Sequence, residues 1–351
     1  MEKRATIRDV AKLAGVSAAS VSYVLNGIDK ITPETKERIL KAVNELGYQP
    51  SLTARCLSKG DSKLIGISLP ITEKGDIPGV LLENNPFFGE FISGIESTTR
   101  EKGYDILISG VDTNEQYKDW IQRRRLDGII MLGVYPKSIF EEIRGLNIPI
   151  VLTDAYEEYA SDFHRVMVED ETGGYLAANH LIKLGHKKIA FAVGSVLKSF
   201  VNYHRYEGYK KALKEAGIEL QTNLLFEDHV TFNGGYRIGR QMLKNGCDAT
   251  AVFAAADIMA IGIMKAFAEA GKKIPEQLSI IGFDDIKFGQ YTTPGLTTMS
   301  QDIIMKGRVS AEMIVNDLEQ GKRTSGSVTL TPKLVARGST AAIKECGPDD
   351  R

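Results

Sequence analysis

The stretch TIRDVAKLAGVSAASVSYVLNG, residues 6–27, decides the fold of the N-terminal end of this protein. Thr6 can cap a first helix, and Gly15 tolerates the left-handed backbone that commonly ends one. Ser17 can then cap a second helix with its own apolar stripe. The apolar residues of the first helix follow helical spacing, at Ile7, Val10, Ala11, Leu13 and Ala14. The pattern predicts two short helices joined by a tight turn.

The outer face of the second helix carries small and polar side chains instead of charged ones, namely Ala18, Ala19, Ser20 and Tyr23. A helix that enters the major groove of DNA must bring its backbone close to the bases, and short residues leave room for this approach. Serine and tyrosine hydroxyls can contact phosphates and base edges. The two helices therefore indicate a helix-turn-helix, with a small helical bundle that binds no ligand as the alternative.

A third helix is predicted to begin after Thr32, with Pro33 in its first turn, and to end at Gly47. Three short helices can bury one small core together. We therefore predict a helix-turn-helix domain over residues 1–48.

Residues 49–62 connect this domain to the rest of the chain. Pro50 can open a short helix containing Ala54 and Leu57, which has no apolar partner of its own and should be marginal in isolation. Pairing of two chains on DNA could order this helix, with Leu57 as an apolar wedge in the minor groove. A plain interdomain linker is an equally good interpretation.

The composition describes a folded protein of several domains. The chain has 351 residues, 43% hydrophobic and 25% charged, which is too long for one compact core. Its net charge of −1 hides an excess of basic residues, ten against six acidic ones, in residues 1–60. Such an excess is typical of contact with phosphates, although it can also be a solvated surface.

Export and membrane insertion are not expected. The N-terminus is charged where a signal peptide would be apolar, and the apolar runs are shorter than a membrane span. The three cysteines are far apart and form neither a disulfide framework nor a zinc-binding pattern. These features fit a protein of the reducing cytoplasm.

From Lys63 onward, short apolar runs alternate with helical segments. The runs are KLIGISLP, YDILISG, DGIIMLG, PIVLTD, KIAFAVG, ATAVFAA and LSIIGFDD. Such runs are typical of parallel strands that are buried on both faces, with helices between them. Because the polar stretch YEEYASDFHR, residues 156–165, interrupts the pattern, we predict two similar lobes of α/β structure.

Ligands of parallel sheets bind beyond the carboxyl ends of the strands, so residues that follow the runs are candidates for a binding site. They are Asp154, Asp257 and Asp284, together with Arg205, Phe87 and Phe88, which begin helices that follow strands. Carboxylates and an arginine form paired hydrogen bonds with neighbouring hydroxyls, and an aromatic ring can cover an apolar sugar face. A sugar fits this chemistry. Each residue also has a structural interpretation, as a helix cap or as part of the core.

The segments TIRDVAKLAGVSAASVSYVLNG, GYQPSLTARCL, LGHKKIAF and LSIIGFDD together resemble the LacI/GalR family of bacterial transcription regulators, over essentially the whole chain. The resemblance implies a homodimer or larger assembly on a palindromic operator in double-stranded DNA, with paired hinge helices at the minor groove. It also implies a fold like that of periplasmic sugar-binding proteins over residues 63–345, with crossovers between the lobes. Lobe one is then expected at about 63–160 and 290–322, and lobe two at about 161–289 and 323–345.

The resemblance also assigns roles to individual residues. Base-reading positions match Ala18, Ala19 and Tyr23, and backbone-contacting positions match Thr6, Ser17, Asn26, Lys30 and Thr35. The minor-groove leucine matches Leu57, with Ala54 beside it. Effector-contacting positions match Phe88, Asp154, Arg205 and Asp284, with Gln301 a weaker match.

Two departures from the family bear on specificity. Many members carry arginine where this chain has Tyr23, so the usual contact from arginine to guanine is not expected. Val230 stands where some members place an aromatic residue that stacks on the ligand. This second departure favours a sugar over a nucleobase as effector.

We therefore predict a repressor of carbohydrate-utilisation genes, working as a cytoplasmic homodimer under the control of a sugar-like effector, with no cofactor or metal. The sequence contains no phosphate-binding loop, zinc-protease motif or serine-hydrolase elbow, so we expect no enzyme activity. The alternatives are a two-lobed solute-binding protein of transport, or a regulator controlled by a nucleobase or by a protein corepressor.

Overall fold

The structure is a computed structural model, and it describes residues 5–25, 27–48, 61–70, 82–111, 114–133 and 137–343. The chain divides into two compact units, Met1–Ser62 and Lys63–Arg351. Three of the predicted DNA contacts, Asn26, Ala54 and Leu57, lie outside the described residues.

The described part of the first unit contains helices α1 Ile7–Ala14, α2 Ala18–Leu25 and α3 Pro33–Glu45. Thr6 begins α1 in a capping box, in which its backbone N–H donates to the Asp9 carboxylate at 2.8 Å and its side chain accepts from the Asp9 N–H. Gly15 ends α1 with a φ of 65°, in the left-handed region. Ser17 Oγ accepts from the Ser20 N–H at 3.1 Å and caps α2. The predicted helix-turn-helix is confirmed.

One residue from each helix forms the centre of this unit's core: Val10, Val21 and Ile39 have no exposed surface. Leu13, which was expected in the apolar stripe, is 47% exposed. The reason is geometric, because α1 buries the line through Val10 and Ala14, and Leu13 is rotated by about 100° from Ala14 around the helix axis. The small core covers a narrower stripe than the spacing of apolar residues suggests.

The described residues of the second unit form two six-stranded sheets. The first has the order β11-β5-β4-β3-β1-β2, with all neighbours parallel. Its strands are β1 Leu64–Pro70, β2 Asp105–Val111, β3 Gly128–Leu132, β4 Ile150–Thr153, β5 His164–Val168 and β11 Ser327–Leu330. Its helices are α4 Pro86–Glu101, α5 Asn114–Arg124, α6 Lys137–Arg144 and α11 Ile303–Gln320.

The second sheet has the order β12-β10-β9-β8-β6-β7, in which only β12 is antiparallel to its neighbour. Its strands are β6 Ile189–Val193, β7 Leu225–Glu227, β8 Ala251–Ala254, β9 Ser279–Asp284, β10 Thr297–Ser300 and β12 Lys333–Val335. Its helices are α7 Asp170–Lys183, α8 Phe200–Glu215, α9 Phe232–Lys244 and α10 Asp257–Glu269. Short 3-10 helices span Glu158–Asp162, Thr222–Leu224 and Lys287–Tyr291. The predicted fold class, a helix-turn-helix domain followed by a two-lobed domain of parallel sheets and helices, is confirmed.

Three strands lie in the lobe opposite to the one expected. Strands β5 and β11 belong to the first sheet, and β10 belongs to the second, so the first crossover comes after β5 and not near residue 160. The sequence HRVMV of β5 alternates buried and half-buried residues. A search for continuous apolar runs detects strands buried on both faces and misses an alternating strand near a sheet edge.

Helices α4 and α11 of lobe one pack with their backbones in close contact. A methyl group at Gly94 would lie 2.2 Å from the carbonyl oxygen of Ile304, and one at Gly307 would lie 2.2 Å from that of Phe91. The helix that follows β10 therefore returns to lobe one, as predicted.

Gly94→Ala is expected to lower the free energy of unfolding by about 1–3 kcal/mol, because overpacking would force the two helices apart. Gly89 lies on the same helix with open space around it, so Gly89→Ala is a matched control that should gain up to about 1 kcal/mol from helix propensity. Urea unfolding would measure both variants. Equal effects would contradict the close packing of α4 against α11.

Candidate functional site

The predicted DNA-contact residues of α2 occupy its first two turns. Ser17 and Ala19 are exposed, whereas Ala18, Ser20 and Tyr23 are half-buried. The hydroxyls of Ser17 and Ser20 lie 3.0 Å apart, and the ammonium of Lys30 lies 5.7 Å from the centre of the Tyr23 ring. These contacts orient the polar groups around an exposed small residue, as a helix that approaches DNA closely requires.

Thr6 and Thr35 already have structural partners within the first unit. Thr6 belongs to the capping box of α1, and the Thr35 hydroxyl lies 3.0 Å from that of Thr32, the cap of α3. A hydroxyl can accept a further hydrogen bond. Their contact with the DNA backbone therefore stays a prediction.

Two of the predicted effector contacts lie at carboxyl ends of strands from different lobes. Asp154 follows β4 with a φ of 60°, and Asp284 ends β9 with a φ of 121°. Residues with a side chain rarely adopt such angles, and they cluster at binding sites. Both carboxylates are thus held where a ligand of these sheets would bind.

Lys306 of α11 links these two aspartates. Its side chain is 1% exposed, and Nζ donates to both carboxylate oxygens of Asp154 at 2.7 Å and to Oε1 of Gln301 at 3.1 Å. Gln301 in turn donates from Nε2 to Oδ1 of Asp284 at 2.6 Å. A continuous chain of hydrogen bonds therefore runs from lobe one to lobe two.

Arg205 of α8 lies on the other side of Asp284. Its Nε donates to Asp170 at 2.7 Å, and Nη1 donates to the carbonyl of Ala255 at 2.6 Å and lies 3.6 Å from Oδ1 of Asp284. The guanidinium carbon is 3.6 Å from the centre of the Phe283 ring. Together these contacts fix the orientation of the Arg205 guanidinium.

Two polar atoms of this network have no hydrogen-bond partner in the described part of the chain, and both reach the solvent: Nη2 of Arg205 and Oδ2 of Asp284. One is a donor and the other an acceptor, on neighbouring side chains. Two adjacent hydroxyls of a ligand would satisfy such a pair.

Burial changes the ionisation of both aspartates. It raises the pKa of Asp284 to about 6, although the positive charge of Arg205 acts in the opposite direction. Burial likewise raises the pKa of Asp154, opposed by Lys306. Perturbed carboxylates in a polar cluster are a common mark of a functional site.

Three members of the cluster were missed by sequence reasoning: Lys306, Asp170 and Tyr156. The hydroxyl of Tyr156 donates to the Asp170 carboxylate, and its ring lies 4.5 Å from that of His204 in lobe two. The sequence did contain a signal for Lys306, because it falls on the buried face of α11 with Ile303, Gly307 and Ser310. A lone lysine on an apolar helical face needs a buried partner.

Asp257 is not placed as an effector contact, which corrects the expectation. It has no exposed surface, and its two oxygens accept from the Thr298 hydroxyl at 2.6 Å and from the Ile286 N–H at 2.9 Å. With both oxygens occupied by the protein, Asp257 holds the segment after β9 against β10.

The aromatic candidates differ in their contacts. Phe88 is half-buried and meets Phe87 edge to face, with ring centres 5.8 Å apart. The ammonium of Lys306 lies 5.7 Å from the centre of the Phe87 ring. Phe87 is therefore the aromatic residue in contact with the charged cluster, and an effector contact of Phe88 stays a prediction.

The pKa of Asp284 gives the stability a defined pH dependence. Because ionisation is harder in the folded protein, with a pKa near 6 against 3.8, folding is favoured while Asp284 is protonated, and this advantage is lost as the pH rises through 6. The shift corresponds to about 3 kcal/mol. Asp284→Asn keeps an acceptor for Gln301 and should show a smaller fall in the free energy of unfolding from about pH 4 to pH 7. Urea unfolding at both pH values is the measurement, and equal falls in both proteins would contradict the assignment.

Comparison with known proteins matches both parts of the chain. Residues 6–51 match the family of bacterial regulatory proteins of the lacI type, and residues 178–340 match a periplasmic binding protein-like domain. The ribose operon repressor of Haemophilus influenzae is 32% identical over 345 residues, covering 97% of this chain and 100% of the relative. The chain belongs to the LacI family.

Two further similarities concern other members of the LacI family. The repressor PurR of Erwinia tasmaniensis is 33% identical, over 96% of this chain and 97% of its own. A lac repressor dimer, solved on operator DNA with the anti-inducer ONPF, is 28% identical with a TM-score of 0.82, over 97% of this chain and 100% of the other. As a LacI-family member, this protein is an effector-controlled DNA-binding repressor and not an enzyme.

None of the helices formed by the described residues is long and apolar enough to cross a bilayer. In the same residues, no three histidine, cysteine or acidic side chains are placed so that they could hold one metal ion together.

Proposed function

We propose that this protein represses carbohydrate-utilisation genes and responds to a sugar bound between its two lobes. The observation that carries the proposal is the open pair formed by Nη2 of Arg205 and Oδ2 of Asp284, held by buried partners at the ends of strands. A ligand with adjacent hydroxyls matches one donor and one acceptor at the same time. The name of the ribose operon repressor supports this ligand class.

A nucleobase is the second candidate effector, because PurR relatives are as similar to this chain as the ribose repressor. The residues favour the sugar. Val230, where some family members carry a stacking aromatic, is 39% exposed and offers no ring to a planar base.

The effector proposal is tested by measuring which compounds change the affinity for DNA. Free pentoses and hexoses, including D-ribose, would be compared with guanine in a fluorescence anisotropy assay on a DNA fragment that the protein selects. A sugar should change the affinity about 5- to 150-fold, as usual for allosteric coupling. A response to guanine with none to any sugar would reject the sugar.

We also propose that a cytoplasmic homodimer binds a palindromic operator through its paired α2 helices. The excess of basic residues in the first unit and the exposed start of α2 support this arrangement, and the lac repressor that it resembles was solved as a dimer on operator. Contacts with DNA phosphates should make the affinity fall steeply with salt. Titrations at several salt concentrations test this, and an affinity independent of salt would show that phosphate contacts are absent.

A further inference from the structure

Five charged side chains form one cluster between the lobes: Asp154, Asp170, Asp284, Arg205 and Lys306. Asp154 and Asp284 both interact electrostatically with Asp170, Arg205 and Lys306. Three carboxylates and two cations leave one net negative charge. This cluster will be called the charge cluster.

Both cations of the charge cluster are already paired with carboxylates. The ammonium of Lys306 has three N–H groups, and all three are used by the two oxygens of Asp154 and by Gln301. Arg205 is paired with Asp170 and lies near Asp284, with only Nη2 left for a ligand. Both side chains are at least nine-tenths buried.

We propose that the effector site selects uncharged polyhydroxylated ligands and excludes sugar phosphates and sugar acids, with Lys306 as a specificity-determining residue. An anion that bound Lys306 would displace Asp154 and leave that carboxylate buried without a partner, which is strongly unfavourable. A neutral hydroxyl can use Nη2 of Arg205 and Oδ2 of Asp284 without breaking any pair. The inference deepens the proposed function and rests on it, since both concern the same site.

A first experiment needs no knowledge of the effector and uses inorganic phosphate as probe. The melting temperature of the full chain would be compared in potassium phosphate and in potassium chloride at equal ionic strength. Since Lys306 should bind no anion in the wild type, Lys306→Met should show the same effect of phosphate on the melting temperature as the wild type. The control Lys265→Met should show that same effect, because the Lys265 side chain is 67% exposed and lies outside the charge cluster. Phosphate stabilisation of the wild type that only Lys306→Met removes would overturn the proposal.

The same measurement also tests whether a variant gains phosphate binding. Asp154→Asn removes the negative partner of Lys306 but keeps an oxygen that can accept from it. Phosphate should then raise the melting temperature by several degrees, and the double variant D154N/K306M should lose this gain. If Asp154→Asn shows no gain, Asp154 is not what prevents Lys306 from binding anions, and the proposal fails.

A second measurement on the wild type keeps the test independent of any variant's folding. Each neutral sugar, for example D-ribose and D-galactose, is compared with its phosphate ester and its sugar acid in the DNA-affinity assay. The neutral compound should act at concentrations at least about 100-fold lower, a difference of about 3 kcal/mol. A response to an ester or acid with none to its parent would overturn the charge selection. A response to guanine alone would reject the sugar of the proposed function and, with it, the selection of polyhydroxylated ligands, whereas the melting temperatures in phosphate would still test the exclusion of anions.

Discussion

Replacing Arg205 with alanine is expected to abolish the response to effector and to lower the free energy of unfolding by about 3–5 kcal/mol. Arg205 is 6% exposed, and its guanidinium pairs with the buried carboxylate of Asp170, next to Asp284. Removing one partner of a buried ion pair leaves the remaining charges without compensation. Urea unfolding measures the stability, and anisotropy on operator DNA measures the effector response.

A second substitution separates binding from folding. Arg205→Lys keeps the positive charge near Asp170, so it should retain most of the stability, but it lacks the planar fork that offers Nη2 to a ligand. It should therefore bind operator normally and respond poorly to effector. Arg100→Ala serves as the surface control. The side chains of Arg100 and its partner Glu96 are 70% and 45% exposed, so their ion pair should contribute less than about 0.5 kcal/mol to the free energy of unfolding. A normal effector response in Arg205→Lys would exclude Nη2 as a ligand contact.

Replacing Ala19 with glutamate should weaken operator binding by about 1–3 kcal/mol or more, roughly 5- to 150-fold. Ala19 is exposed in the first turn of α2, so a larger side chain there occupies the space that the backbone needs to approach the bases. The added negative charge also faces the phosphates. Electrophoretic mobility shift on a selected operator fragment gives the affinity.

Ala19→Ser is the matched control for this position, since it keeps a short side chain and adds no charge. Both variants should unfold at the temperature of the wild type, because the side chain packs against nothing in the core. If Ala19→Glu bound operator as well as Ala19→Ser, α2 would not be the helix that approaches the bases.

Much of the fold was predictable because its signals are local. The caps Thr6 and Ser17 and the left-handed Gly15 fix the helix-turn-helix within a short stretch. Strands β3, β4, β6, β8 and β9 are buried throughout, and each appears in the sequence as a continuous apolar run. The strands that the sequence did not reveal, such as β5, lie toward sheet edges, where alternation replaces the run.

The binding site was predictable only in part. Asp154, Arg205 and Asp284 follow strands or begin helices at the expected edge, and the structure brings them into one cluster. The rule that selected them also selected Asp257, because it reports where a residue stands along the chain and not which atoms surround it. The partners of Asp257 are Thr298 and Ile286, from elements that follow it in sequence.

The sequence by itself determined the helix-turn-helix, the alternation of strands and helices, and the chemical types of side chain at the strand ends. Only the tertiary structure decided which of these side chains are paired. Lys306 lies 152 residues from Asp154 and Arg205 lies 35 from Asp170. Capping and apolar periodicity are short-range effects within one element, whereas the pairing of charges depends on crossovers that bring remote segments together at the carboxyl ends of two sheets.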